Sequence, residues 1–479
     1  MQRTFITNLA LLLLLNLLVK PFYILGIDAG VQDAVGSAEY GTYAALLSLS
    51  FLLNIILDLG ITNYNTRNIA QHTQLLGKYL GHIAGIRLLL ALIYAAITAL
   101  AGLWLGYSAH QLQLLGWLIF NQVLVASILY LRSNIAGAQR YRQDSFLSVL
   151  DRSLLIGVIG WLLWGREGEF RIEWFVWAQT GAYAITFLVA LAMVLRLSEG
   201  SKLNLRSPIG LVMLRQSSPY ALLILLMTFY YRIDTLMLER ISGDLHAGIY
   251  MQGFRFFEAL NMLGYLFAGL LLPMFSRMLK QKDDVTPLAF TAFKLVMAGA
   301  IPIAIYGCFR SEQIMELRYT EHTDLSAPAF AVLIWCFVAV ATTYIFGTLL
   351  TAGGRLRALN WMAAGGAVLN ILLNLILIPR MQAEGAAWSS LGTQVLTAVI
   401  QVFLAVKFFK IRALSSVIAR IALYASGLLG AFLLLDHLWK DPIGSAIFYF
   451  IFSLLWAFLT GLIGLKPLLH AFDRRTEDH

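Results

Sequence analysis

Eight ionisable side chains stand inside stretches apolar enough to cross a bilayer: Lys20, Asp58, Arg87, Arg232, Asp234, Arg255, Glu258 and Lys294. Each costs about 2.5–3.5 kcal/mol at the membrane midplane even on the lenient insertion scale. Facing lipid, together they would cost about 20 kcal/mol or more, beyond the roughly 5–15 kcal/mol that holds an ordinary fold. They must therefore face protein or water. Residues two apart on a helix point in different directions, so Arg232 and Asp234 need separate partners. Arg255 and Glu258, three apart, share a face and can pair. The five cations still outnumber the three acids, so mutual pairing cannot neutralise them all. A surplus of buried positive charge is what an anionic headgroup needs on its way through a membrane. Lys20, Arg232 and Arg255 are the leading candidates for contact with a diphosphate, with Arg87 and Lys294 as further candidates. A carboxylate withdrawn from water gains affinity for a proton or a metal cation. Asp58, Asp234 and Glu258 are thus candidates either for H+ or Na+ coupling or for plain counter-ion roles beside the arginines.

Polar residues recur at helical spacing as well. Asn16 and Lys20 form one such stripe; Ser50, Asn54, Asp58 and Thr62 form another; Gly366, Asn370 and Asn374 a third; and Ser390, Gln394, Thr397 and Gln401 a fourth. Such stripes serve either as hydrogen-bonding glue between membrane helices or as the wall of a wet cavity. Asn16, Asn54, Asn370 and Asn374 are the candidates for a cavity lining.

The elements that must carry these residues follow from composition. The chain of 479 residues is 59% hydrophobic and only 13% charged, against roughly 45–50% and about 25% in soluble domains. It is an all-α, polytopic membrane protein. Spans of about 20 apolar residues place about 14 helices along it, the first of them, Phe5–Ile27, retained rather than cleaved as a signal peptide. Most of the 35 lysines and arginines fall in alternate loops, among them Arg67, Lys78, Arg132, Arg140, Arg142, Arg355, Arg357, Arg474 and Arg475. The first opposite loop, Asp28–Glu39, has none. The positive-inside rule then puts both termini in the cytoplasm, and the same bias accounts for the net charge of +9 without nucleic acid.

Two echoes point to a duplicated half. Gly36-x4-Gly41-x-Tyr43 returns as Gly243-x4-Gly248-x-Tyr250, and Ala136-Gly137-Ala138-Gln139-Arg140 as Thr351-Ala352-Gly353-Gly354-Arg355. Order and topology agree, so helices one to six and seven to twelve read as parallel repeats, a transporter hallmark. The divisions are 1–200, 201–412 and 413–479, the last holding two extra helices and a tail. The linker Arg196–Ser217 joins the halves, with Ser207-Pro208 as the cap and first turn of an interfacial helix.

Cys308 and Cys336 make no disulfide framework or metal motif, and the eight histidines are scattered. No Gly-x4-Gly-Lys-Ser/Thr loop is present, which argues against ATP hydrolysis. The charged connection Arg310–Ala327 reads as an ordinary water-exposed loop.

Val35-Gly-Ser-Ala-Glu-Tyr-Gly-Thr-Tyr43, Leu57-Asp-Leu-Gly-Ile61 with Arg67, Tyr231-Arg-Ile-Asp-Thr-Leu-Met-Leu238 with Gly248-Ile-Tyr250, and Asn370-Ile-Leu-Leu-Asn374 through Pro379 to Glu384-Gly-Ala-Ala387 occur in that order. In these motifs the chain resembles the polysaccharide flippases of the multidrug, oligosaccharidyl-lipid and polysaccharide exporter superfamily. The resemblance implies two six-helix lobes in a V around a central cavity, plus two C-terminal helices. It implies a transporter, not an enzyme, in the bacterial cytoplasmic (inner) membrane. Such a protein moves an undecaprenyl-diphosphate-linked oligosaccharide to the outer leaflet for surface polysaccharide synthesis of the O-antigen type. A monomer and a polysaccharide polymerase partner belong to the same expectation. In related lipid II flippases, cations of the first and eighth helices line the cavity; Lys20 and Arg255 stand on the matching helices. An ion-coupled drug or cation antiporter on the same fold is the alternative, and a membrane-embedded glycosyl polymerase or ligase the more distant one.

Overall fold

The computed structural model describes Asn16, residues 18–62, Asn65, Ile69 and residues 76–166, 168–198, 209–438 and 442–463. The start of the first helix, Arg3, Arg67, the Ser207-Pro208 cap and Lys466, Arg474 and Arg475 lie outside these residues.

Every regular element among them is helical. A π-helical turn, Tyr23–Asp28, runs into α1 (Ala29–Val35); α2 (Ser37–Leu53) continues by one turn as α3 (Ile55–Asp58). Then come α4 (Leu76–Trp104), α5 (Ala109–Gly137), α6 (Tyr141–Trp164) and α7 (Ile172–Leu197). The second half is α8 (Ile209–Ser242), α9 (Asp244–Gln281), α10 (Thr286–Phe309), the short α11 (Ser311–Arg318), α12 (Thr323–Ala352) and α13 (Leu356–Phe409). Last are α14 (Leu414–Leu438) and α15 (Pro442–Leu459). Eleven of the described helices are long and apolar enough to cross a membrane. The 54 residues of α13 would reach about 80 Å if straight, against a hydrocarbon core of about 30 Å. The helix instead breaks at Gln382 (φ 51°) just after Pro379, and Gly385 folds back onto the carbonyl of Leu377. It therefore supplies the eleventh and twelfth crossings, and the count of about fourteen stands.

The first helix runs further than the sequence reading puts it. Asp28, read as the start of a loop, is buried inside a continuous helical run to Val35. Both carboxylate oxygens are occupied there: the Tyr40 hydroxyl donates to Oδ1 (2.8 Å) and Arg255 Nη1 lies 2.8 Å from Oδ2.

Within the first half, α5 packs on α7 and α7 on α6; within the second, α12 packs on α13 and α9, and α8 on α13. The seam between them is α2 against α8 and α9. The C-terminal pair α14 and α15 leans on α10. Leu88, Leu89, Leu92, Leu100 and Leu103 line up exposed along α4, the face a helix presents to lipid.

The sequence echoes have matching backbone geometry. Gly36 (φ 83°, ψ 161°) precedes α2 as Gly243 (φ 90°, ψ 168°) precedes α9, a region open to glycine and costly to other residues. Likewise α5 and α12 end with a left-handed residue, Gln139 (φ 59°) and Gly354 (φ 69°). The following amides, Arg140 and Arg355, donate back to Ile135 O and Leu350 O at 3.0 and 2.9 Å, the closure of a Schellman motif.

The second glycines of the echo meet across the seam. A Cβ added to Gly41 would strike the carbonyl oxygen of Asp244, and one added to Gly248 that of Ser37. Asp244 follows Gly243 as Ser37 follows Gly36, so the contact is reciprocal. Around it Gln32 Nε2 donates to Gly248 O (2.7 Å), and Thr42 Oγ1 to Asp244 Oδ2 (2.9 Å). The connection Arg310–Ala327 is no free loop. It forms α11 and closes the same end of the molecule: Arg318 Nε donates to Leu25 O (2.7 Å) and the Thr320 amide to Asp33 Oδ1 (2.9 Å). Met315 and Tyr319 are buried beneath it among Ala29, Ala327, Phe330 and Ile334.

Candidate functional site

Three adjoining hollows of about 690, 550 and 200 Å³ lie between the halves and share walls. Glu258 lines all three. The larger two extend to Thr351 and Leu359, and to Thr62, Arg132 and Ala136. These residues sit within two turns of the helix ends opposite the glycine contact. The chamber is thus shut at the Gly41–Gly248 end and reaches the other end.

At its heart is a chain of ion pairs. Arg232 Nη2 meets Glu258 Oε1 at 2.8 Å, and Arg255 Nη1 meets Glu258 Oε2 at 2.9 Å and Asp28 Oδ2 at 2.8 Å. The last pair ties the first helix to α9, one lobe to the other. Arg232 also lies over the rings of Phe51 (4.6 Å) and Phe254 (5.7 Å), which suits a guanidinium held against aromatic faces. Arg255 is 4% exposed, yet its Nε and Nη2 have no hydrogen-bond partner among the described residues.

Lys20 lines the second and smallest hollows and makes no ion pair with any described residue. Asn16, one turn before it, lines the same wall and donates to Ser148 Oγ (3.0 Å). Arg132, also on this wall, is held by Asp144 at 2.7 Å.

The wall differs between lobes. The first-half side of the small hollow carries amides and phenols: Asn121, Gln122, Gln179, Tyr23, Tyr43 and Tyr183. Gln179 Nε2 donates to the Tyr43 hydroxyl at 2.9 Å. The second-half side is dominated by Leu223, Met227, Tyr231, Phe254, Phe257 and Tyr344.

Several residues proposed from the sequence stand elsewhere. Arg87 is not on the chamber: Nη1 pairs with Asp58 (2.9 Å), Nη2 donates to Ala126 O (2.6 Å), and the guanidinium lies 4.9 Å from the Tyr130 ring centre. Asp58 is its counter-ion and also accepts from Thr62. The Arg87–Asp58 pair lies within the first lobe and ties its helices together, while Thr62, at the end of the same stripe, reaches the second hollow. Asn54 stands behind the wall, donating to Gln122 Oε1 at 2.8 Å. Lys294 is half-buried on α10, a helix that packs on α12, α14 and α15, and it lines none of the three hollows. Asn370 and Asn374 do not line the hollows either. Both donate to Asp234 Oδ1, at 2.9 and 2.7 Å, while Tyr250 donates to Oδ2 at 3.4 Å, all within the core of the second lobe. Asp234 therefore has neutral partners, and Arg232, two residues away, faces the chamber. Period-four spacing tells which residues share a face; it does not tell what the face looks at.

Asp28 and Arg152 are chamber residues that the sequence reading passes over. A signal exists for each. Asp28 continues the stripe Asn16, Lys20 by fours through Ile24, and Arg152 lies inside the apolar stretch Val149–Trp164.

The polysaccharide biosynthesis protein family matches residues 6–279, which contain the first lobe, α8 and most of α9. A structure of the lipid II flippase MurJ in an inward closed conformation superposes with a TM-score of 0.74 at 12% identity, covering 96% of this chain and 99% of that one. A mutant of the Vibrio cholerae MATE transporter VcmN gives 0.59 at 15% identity over 84% and 97%. A MOP-superfamily transporter from Pyrococcus furiosus gives 0.56 at 12% over 84% and 93%. No curated protein sequence matches the chain.

Proposed function

Because the chain belongs to the polysaccharide biosynthesis protein family and has the fold of MurJ and the MATE transporters, we propose that it flips an undecaprenyl-diphosphate-linked oligosaccharide from the cytoplasmic to the outer leaflet of the bacterial inner membrane. The observation that carries this reading is the chamber itself. Lys20, Arg132, Arg152, Arg232 and Arg255 line it against three carboxylates, Asp28, Asp144 and Glu258. A drug-cation antiporter wants the reverse balance of charge. The bias of lysine and arginine toward alternate loops assigns the accessible end to the cytoplasm, where the headgroup is loaded. Sugar and diphosphate enter the wet space while the polyprenyl tail stays in lipid. The protein works as a monomer and hands its product to a polymerase.

The test is relocation of a synthetic undecaprenyl-diphosphate oligosaccharide in vesicles containing the purified protein. Intact substrate should change leaflet, with no longer product. Lys20→Gln removes one charge-assisted contact, about 1.5–3 kcal/mol, and should slow relocation roughly ten- to hundredfold. Wild-type rates in Lys20→Gln, Arg232→Gln and Arg255→Gln alike would sink the reading; an elongated product would replace the flippase by a polymerase.

Asp234 supports a coupled cycle. A buried carboxylate with only neutral partners attracts a proton or Na+. In Asp234→Asn, relocation rates with and without an imposed H+ or Na+ gradient should become equal. Undiminished gradient dependence would remove Asp234 from that role.

A further inference from the structure

We propose that Arg152, together with Lys20, forms the diphosphate subsite of the chamber, and that Arg232 and Arg255 are held in reserve by their own carboxylates. The inference rests on the flippase reading and says where within the chamber the anion sits.

Charge partition carries it. Of the five chamber cations, Arg232 and Arg255 share Glu258 and Asp28 at 2.8–2.9 Å, and Arg132 is held by Asp144 at 2.7 Å. That leaves Lys20 and Arg152 without an ion pair to any carboxylate of the lining. Arg152 has only a loose ion pair with its chain neighbour Asp151, Nε to Oδ2 3.8 Å without a hydrogen bond, so its guanidinium donors stay available. Asp151 does not line the hollow that Lys20 and Arg152 share. A diphosphate diester carries a negative charge on each phosphate, so one cation for each is the complement.

Geometry agrees. The Arg152 guanidinium lies 4.5 Å from the ring centre of Tyr23 and 5.8 Å from that of Tyr183, whose hydroxyl accepts from Nη1 at 3.1 Å. Tyr23 belongs to the π-helical turn of the first helix and Tyr183 to α7, so two elements fix the plane of the group. A guanidinium positioned by aromatic rings keeps in-plane donors for a bidentate phosphate, at little further loss of side-chain freedom. Arg152 sits halfway along α6. The neighbouring amides of Asn121, Gln122 and Gln179 are suited to the sugar hydroxyls next to the diphosphate.

The experiment measures binding, not flipping. The full chain in detergent is titrated with inorganic pyrophosphate, and separately with glucuronate, which stands for a carboxylate on the sugar. The wild type should bind pyrophosphate. Arg152→Gln should weaken it at least about tenfold, and Arg152→Lys, which keeps the charge and loses the fork, by an intermediate factor of roughly three. Should Arg152→Gln fail to fold, the Arg152→Lys titration decides, because an unchanged affinity there excludes a bidentate contact. Wild-type pyrophosphate affinity in a folded Arg152→Gln protein overturns the assignment and leaves the flippase reading intact. Loss of glucuronate binding alone overturns it in favour of a sugar carboxylate at this position. A wild type that binds neither pyrophosphate nor a short prenyl diphosphate brings down the flippase reading as well.

Discussion

Replacing Glu258 by glutamine should tighten the hold of the chamber on a diphosphate and slow transport. Glu258 lines all three hollows and is the anion that Arg232 and Arg255 share. For a headgroup about 8 Å away, at an effective dielectric of about 20, deleting that negative charge is worth about 2 kcal/mol, or roughly thirtyfold in affinity. Water in the chamber lowers this to roughly tenfold. The gain falls on the bound ground state, so release is slowed and turnover drops by a similar factor. The side chain is 24% exposed, and Arg255 retains Asp28, so the fold should survive. Pyrophosphate titration of the variant beside its relocation rate in vesicles checks the claim. Weaker binding would mean that Glu258 acts by holding the arginines in place and that the headgroup never comes near it.

Enlarging either glycine of the seam should have an effect of similar size on a different observable. The obstacle at Gly41 is the carbonyl of Asp244 and at Gly248 that of Ser37. Backbone cannot swing aside as a side chain can, so Gly41→Val and Gly248→Val force α2 and α9 apart. Overpacking of this kind costs about 1–3 kcal/mol, which moves an equilibrium between closed and open forms by roughly ten- to hundredfold. Thr42 contacts Asp244 at this end. A Thr42→Cys probe should therefore react with a membrane-impermeant maleimide at least about ten times faster in the valine backgrounds. Gly116→Val, where an added Cβ meets nothing within 4 Å, is the control and should leave the rate alone. Equal rates in all backgrounds would show that the glycine contact is not what shuts this end.

Much of the architecture was legible. Hydrophobic run length reported the crossings, including the two merged in α13, because burial in lipid leaves no other use for twenty apolar residues. The i, i+3 spacing of Arg255 and Glu258 reported their pair, since both partners sit on one helix. What the sequence could not report was which way a face turns. Arg87 looks as eligible as Lys20 in one dimension, but its helix turns it toward Asp58 and Ala126. Asn370 and Asn374 form a clean stripe, and it closes on Asp234, not on water. Asp28 reads as a loop residue because an aspartate after an apolar run is ordinarily a helix end. Inside the helix its carboxylate is held by Tyr40 and Arg255, one of them more than two hundred positions away. Arg152 is masked by its chain neighbour Asp151, which suggests a closed local pair; the pair is loose, at 3.8 Å, and Asp151 does not line the hollow that Arg152 does.

The glycine contact has a bearing on descent. Residues that occupy the same place in the two echoes touch one another in a reciprocal pattern, with Gly41 on Asp244 and Gly248 on Ser37, as identical subunits do about a dyad. Both copies of the motif also open a helix at the same end of the molecule. A half-length forebear could therefore have met a second copy of itself with the same touch, both inserted in one orientation. Fusion of the two genes would then have freed each side of the dyad to change, giving one flank its amides and the other its aromatics.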